Sequence, residues 1–86
     1  MAADSLRIDK LLWHLRLSKS RSLAQSLVEQ GHVRVNGNRA LRSSVPVHVG
    51  DVISLPHGDG VVVIRVTAIP KRRGAAEEAR SHFVSL

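Results

Sequence analysis

Lys19, Ser20 and Arg21 stand where a helical run begins in SKSRSLAQSLVEQGHVRVNG, residues 18–37, and Gly31 closes that run. The positive end of a helix dipole disfavours cations, so these side chains answer to something other than helix stability. Free N–H groups at a helix start favour a phosphate. Ser20 is the natural N-cap, its hydroxyl accepting one orphan N–H. Lys19, Ser20 and Arg21 together make a phosphate-sized site.

The remaining charge points the same way. Of 86 residues, 13 are Lys or Arg and seven are Asp or Glu, a net charge of +6. Such a balance implies a polyanionic partner. Arg7, Lys10, Arg16, Lys19, Arg21, Arg34, Arg39 and Arg42 put a net +5 into residues 1–42, whereas residues 43–70 carry −1 and residues 71–86 carry +2. The positive charge is therefore local, in the first half and in a short tail patch.

Other chemistries find less support. His14, His32, His48, His57 and His82 are scattered without an i, i+4 pair, and there is no cysteine, so neither a metal site nor a disulfide is expected. No serine and histidine spacing argues for an activated nucleophile. Asp51 and Asp59 sit in turn-like sequence, where Asp is common for local reasons. HGDG lacks the lysine and following helix of a phosphate-cradling loop. Catalysis and a cofactor are not expected. With one Trp, one Phe and no Tyr, the aromatic platforms that stack splayed single strands are missing. The ligand should be folded RNA recognised by backbone and shape. A DNA-reading helix-turn-helix competes, but its recognition helix would offer only Arg21 and Gln25 as base readers.

These residues need elements to hold them, and the patterning supplies an outline. Ile8, Leu11, Leu12 and Leu15 recur at i, i+3, i+4 and i+7 in a helix beginning at Leu6. Arg7, Lys10 and His14 fall together on another face, and residues 1–5 are expected to fray. Trp13, off the centre of the apolar stripe, is expected to pack against the sheet or tail. A second helix is predicted over 21–30, with Leu23, Ala24, Leu27 and Val28 buried and Gly31 in a left-handed C-terminal position. The period then falls to two in HVRVNG, and Asn36-Gly37 predicts a tight hairpin. A short return strand, a proline-marked loop over SSVPVHVGD, and two longer strands, DVISL and GVVVIRVTAI joined by PHGDG, complete an antiparallel sheet. Pro70 should stop the last strand, and Ala75 to Arg80 should form a turn or two of helix. The class is α+β, one domain.

Taken in order, R-x-D-K, K-S-R-S-x-A, G-x-V-x-V-N-G and V-G-D resemble the S4 RNA-binding domain family over Arg7 to about Leu55. DKLLWHLRLSKSRS and TAIPKRRGAAEEA are similar to its ribosome-associated heat shock protein 15 branch. The resemblance implies the S4, or αL-motif, fold: two N-terminal helices packed on a small antiparallel sheet, here residues 6–70, with a basic C-terminal tail at 71–86. It implies no enzymatic activity and no cofactor or metal. The implied partner is structured ribosomal RNA of the large subunit, with tRNA nearby, in recycling or rescue of stalled subunits carrying nascent chain-tRNA. The better-known members continue into a longer charged C-terminal segment.

Carried across by motif, the RNA surface would comprise Arg7, Lys10 and Arg16, then Lys19, Ser20, Arg21, Ser22 and Gln25, then Val35 and Asn36. Arg34, Arg39 and Arg42 are neighbours, and Asp9 is expected to orient a basic side chain. A monomer is expected, in the cytoplasm, since no apolar run approaches the length of a membrane span and MAADSLRIDK has no export-signal pattern. Two other classes remain open from the residues alone: a basic regulatory module for an acidic protein, and sequence-specific DNA binding.

Overall fold

The computed structural model describes residues 5–86; positions 1–4, part of the expected frayed end, lie outside them. Helix α1 spans Ile8–His14 and α2 spans Arg21–Glu29. Ile8, Leu11, Leu12 and Leu15 turn inward as their spacing requires, and meet Ala24 and Val28 of α2 in the core. Ala24 lets the two helices approach closely. Ser20 Oγ accepts the Leu23 N–H at 3.1 Å, the expected N-cap, and Gly31 takes φ +81° beyond the helix end.

The chain entering α1 is a strand, contrary to expectation. Residues Ser5–Arg7 (β1) pair antiparallel with Pro46–His48 (β4), Leu6 opposite Val47. The amides of Ile8 and Asp9 donate to the carbonyls of Val45 and Ser43 at 2.8 and 3.3 Å, so a distant loop satisfies the first free N–H groups of the helix. Three residues carry too little periodicity to reveal this pairing, and Pro46–His48 is a strand within the segment expected as a proline-marked loop.

The second sheet has five antiparallel strands in the order β3-β2-β5-β6-β7. Strands β2 (Arg34–Val35) and β3 (Asn38–Arg39) form the hairpin, with Asn36 at φ +53° and Gly37 at φ +83°. Positive φ at both central positions is the tight turn that Asn-Gly favours. Strands β5 (Val52–His57) and β6 (Gly60–Val66) pair from Val52↔Arg65 to His57↔Gly60, placing Ile53, Leu55, Ile64 and Val66 in the core. Strand β6 ends at Val66, three residues before the expected Ile69.

Helix α3 is Ala76–Arg80, as the tail pattern suggested. The last segment, Phe83–Ser85 (β7), was not anticipated and pairs with β6, Val66 opposite Phe83. One further expectation fails: Leu23 is 51% exposed. Lying 100° from Ala24 around the wheel, it falls outside the narrow face that α2 buries, and with Leu17, Lys19 and Leu27 it lines a shallow groove.

Candidate RNA interface

Asp9 follows the first residue of α1, and its side chain has no exposed surface. Burying a carboxylate is costly unless its oxygens are fully bonded. Here Oδ1 accepts Arg7 Nε at 2.7 Å and the Lys10 N–H at 2.8 Å, while Oδ2 accepts Gln25 Nε2 at 2.9 Å and Arg21 Nε at 3.2 Å. Burial pushes the Asp9 carboxyl up, but these four donors together outweigh it and hold the group below its ordinary value of 3.8. The Arg7 and Arg21 side chains nevertheless stay over a third exposed. A buried anion thus fixes Arg7 and Arg21 by their Nε atoms, and among the described residues their outer N–H groups have no acceptor. Such a fork suits phosphate oxygens.

Around this centre lie several other sequence-derived candidates. Lys10 is half-buried one residue along α1, and Lys19 and Ser22 are exposed at the start of α2. Ser20 is occupied as the cap. Arg42 is exposed and precedes Ser43, whose carbonyl meets the Asp9 amide and whose hydroxyl lies 3.1 Å from Glu29 Oε2.

The hairpin forms a second basic group. Arg34 and Arg39 are direct cross-strand partners, an arrangement of like charges that costs stability and suits an anionic ligand. Arg34 Nη1 donates to the Gly37 carbonyl at 3.1 Å, and the Arg39 side chain passes beside Gly31. The hairpin cations therefore sit at the C-terminal end of α2, roughly 13 Å along the helix from Arg21. Val35 is half-buried.

Asn36 and Arg16 have internal partners. Asn36 Nδ2 donates to Asp51 Oδ1 at 3.0 Å, and Asn36 Oδ1 accepts the Val52 N–H at 2.9 Å. Asp51 also accepts the His48 N–H at 2.8 Å. Desolvation raises the Asp51 carboxyl, but the His48 amide and Asn36 outweigh it and lower it overall. The V-N-G and V-G-D motifs are thus one clamp between hairpin and sheet, which no spacing in the sequence revealed. Arg16, in the left-handed region at φ +60°, donates from Nε to the Gly74 carbonyl at 2.6 Å.

His14 corrects the helical-wheel reading, which grouped it with the exposed cations: it is buried, and among the described residues its Nδ1 has no hydrogen-bond partner. Burial lowers its pKa; Lys10, Arg21 and Arg73 add to that, and the Pro70 carbonyl opposes it. Its neighbour Trp13 does pack against the tail. Arg73 Nε donates to the Trp13 carbonyl at 3.1 Å, and the Arg73 guanidinium lies 5.6 Å from the indole centroid. Among the described residues, no three His, Asp or Glu side chains cluster as metal ligands, and no helix is long and apolar enough to cross a membrane.

Two helices carrying an internal carboxylate, followed by an Asn-Gly hairpin on an antiparallel sheet, define an S4-type module. The S4 domain model matches residues 6–53, more than half the chain, and the chain belongs to that family. It is 38% identical over 80 residues to the heat shock protein 15 homolog of Haemophilus influenzae, covering 93% of this chain and 60% of that one. It is 36% identical over 81 residues to the RQC P-site tRNA stabilizing factor of Bacillus subtilis, covering 94% and 92%. The trimeric structure of Vibrio cholerae heat shock protein 15 is similar at TM-score 0.90 and 38% identity, covering 95% of this chain and 82% of that one. The chain thus spans about three fifths of the Haemophilus relative and nearly all of the Bacillus one.

Proposed function

We propose that this chain docks on structured ribosomal RNA of the large ribosomal subunit and acts in the rescue or recycling of stalled subunits that hold nascent chain-tRNA. The observation that carries this reading is the buried Asp9 carboxylate holding Arg7 and Arg21 by their inner nitrogens. A module built only for stability gains little from partly exposed ion pairs; one built to present two guanidinium forks to phosphates gains pre-organisation. Membership of the S4 family and the likeness to a P-site tRNA stabilizing factor support RNA as the partner and the stalled subunit as the setting.

In this reading residues 6–70 are the RNA-binding module and residues 71–86 its basic tail. Arg7, Lys10, Lys19, Arg21, Ser22, Arg34, Arg39 and Arg42 face the RNA. Asp9, Ser20, Gln25 and Asn36 hold that surface in shape, Val35 supports the hairpin edge, and Arg16 contributes from the end of α1. The chain acts by binding, without catalysis, in the cytoplasm. It acts as a monomer, which its net charge of +6 favours through self-repulsion; the Vibrio relative was solved as a trimer, and light scattering of the free protein distinguishes the two.

Sedimentation of the tagged protein in cell extract tests the function. Co-migration with free large subunits, lost after ribonuclease treatment or at raised salt, is expected. Binding that survives ribonuclease would instead favour an acidic protein partner.

A further inference from the structure

The tail meets α1 through two crossed hydrogen bonds. Arg73 Nε donates to the Trp13 carbonyl at 3.1 Å, and Arg16 Nε donates back to the Gly74 carbonyl at 2.6 Å. Pro70 and Gly74, which bracket this basic turn, are both buried. Arg73 and Gly74 are therefore seated at the C-terminal end of α1, while Lys71 and Arg72 are exposed. The Arg73 guanidinium lies over the Trp13 ring, and among the described residues its terminal N–H groups have no acceptor. Arg72, by contrast, pairs with Glu78 at 3.1 Å.

Position along α1 decides what Arg73 adjoins. Lys10, Trp13 and His14 stand at i, i+3 and i+4, and such residues share one helix face. A guanidinium resting on Trp13 is thus one turn from Lys10. Lys10, Arg21 and Arg73 also all act on the buried His14 through their charge. Since His14 is disfavoured in its charged form there, it adds no repulsion of its own. Arg73 therefore stands on the same side of α1 as Lys10, beside the buried His14.

We propose that Arg73, held beside Trp13, is an RNA-phosphate contact that extends the Arg7–Asp9–Arg21 surface onto the tail. The Nε bond to the Trp13 carbonyl and the contact with the indole hold the guanidinium in place and leave its terminal donors without an acceptor among the described residues, so a phosphate meets a fork that is already positioned. Lysine in the same place supplies charge but no planar edge. The inference rests on the RNA-binding reading above and adds a contact outside the residues that the family model matches.

The test is equilibrium binding of the full chain to purified large ribosomal subunits at several salt concentrations. Arg21→Gln, Arg72→Gln, Arg73→Gln and Arg73→Lys are compared with the unmodified chain. Arg73→Gln is expected to weaken binding about five- to tenfold and to reduce the log–log salt slope by about one, the same effect expected of Arg21→Gln. Arg72→Gln, whose partner is Glu78, should stay within about twofold. Arg73→Lys keeps the charge and the apolar stem over Trp13, so it remains folded even where Arg73→Gln does not, and it should still lose about threefold. Unchanged affinity in Arg73→Lys, or in a folded Arg73→Gln, while Arg21→Gln is weakened would overturn the proposal and leave the RNA-binding reading standing. If the unmodified chain fails to bind large subunits at low salt, that reading falls and this inference with it.

Discussion

Arg21 Nε donates to Asp9 Oδ2 at 3.2 Å across the junction of the two helices, and the carboxylate it meets has no exposed surface. The contact joins two tasks. It fastens the start of α2 to the start of α1, and it holds the Arg21 side chain on the same carboxylate as Arg7. It also explains a cation at a helix N-terminus: the nearby carboxylate offsets the unfavourable helix dipole.

Asp9→Asn tests that arrangement, because two effects oppose each other. Removing an anion raises the net charge by one, which favours RNA binding through general electrostatics. The amide, however, replaces an acceptor with a donor facing Gln25 and Arg21. We expect orientation to win: RNA affinity falls about three- to tenfold and stability falls by about 1–2 kcal/mol, a figure reduced for the exposure of both arginines. Undiminished affinity in a folded Asp9→Asn protein would show that Asp9 does not organise the surface.

Acid sensitivity follows from the signs of three shifts. Asp9 and Asp51 are lowered from 3.8 in the folded state, so they stabilise the fold above that pH and this stability is lost as pH falls below it. His14 is lowered from 6.5, so the unfolded chain takes up its proton first and stability declines as pH drops below 6.5. Urea titrations between pH 8 and pH 3 should show both declines. Replacing His14 with Gln should remove the upper one and leave the lower, and persistence of the upper decline in His14→Gln would contradict the assignment.

Much of this architecture is legible in the residues, for identifiable reasons. The apolar repeat of α1, the Ser20 cap, the Gly31 stop and the Asn36-Gly37 turn are local signals, and each appears in the structure. What escaped the sequence depends on partners far along the chain. Strand β1 exists because β4 lies beside it, β7 because β6 has an open edge, and the buried His14 meets the carbonyl of the distant Pro70. Leu23 lies outside the core because α2 buries a stripe narrower than its apolar residues suggest. At the site, the cations were legible by type, and Asp9 was anticipated as an orienting partner. The internal commitments of Asn36 and Arg16, and the contact of Arg73 with Trp13, rest on separations of 15 or more residues and have no local signal.

The Asn36 clamp separates backbone from side-chain effects. Asn36→Gly keeps the left-handed turn and loses both hydrogen bonds to the Asp51–Val52 segment, whereas Asn36→Ala also strains the φ +53° backbone. We expect a loss of about 1–2 kcal/mol for Gly and about 1 kcal/mol more for Ala. Equal stability of all three chains in thermal unfolding would contradict the clamp.

The narrow buried face of α2 predicts a contrast. Val28→Ala removes fully buried methyl groups and should cost about 1.5–3 kcal/mol. Leu23→Ala, at a position half open to solvent, should change stability by less than about 0.5 kcal/mol. Comparable losses in the two variants would mean that Leu23 belongs to the core after all.

The most direct test of the central claim is the salt dependence of binding to purified large ribosomal subunits. If five to seven phosphates are neutralised by the Asp9-ordered surface and the hairpin, log affinity should fall against log salt with a slope of about −4 to −6. Arg7→Gln with Arg21→Gln together should reduce that slope by about two. A slope near zero, or an unchanged slope in the double variant, would contradict an account in which a buried carboxylate arms two arginines for RNA.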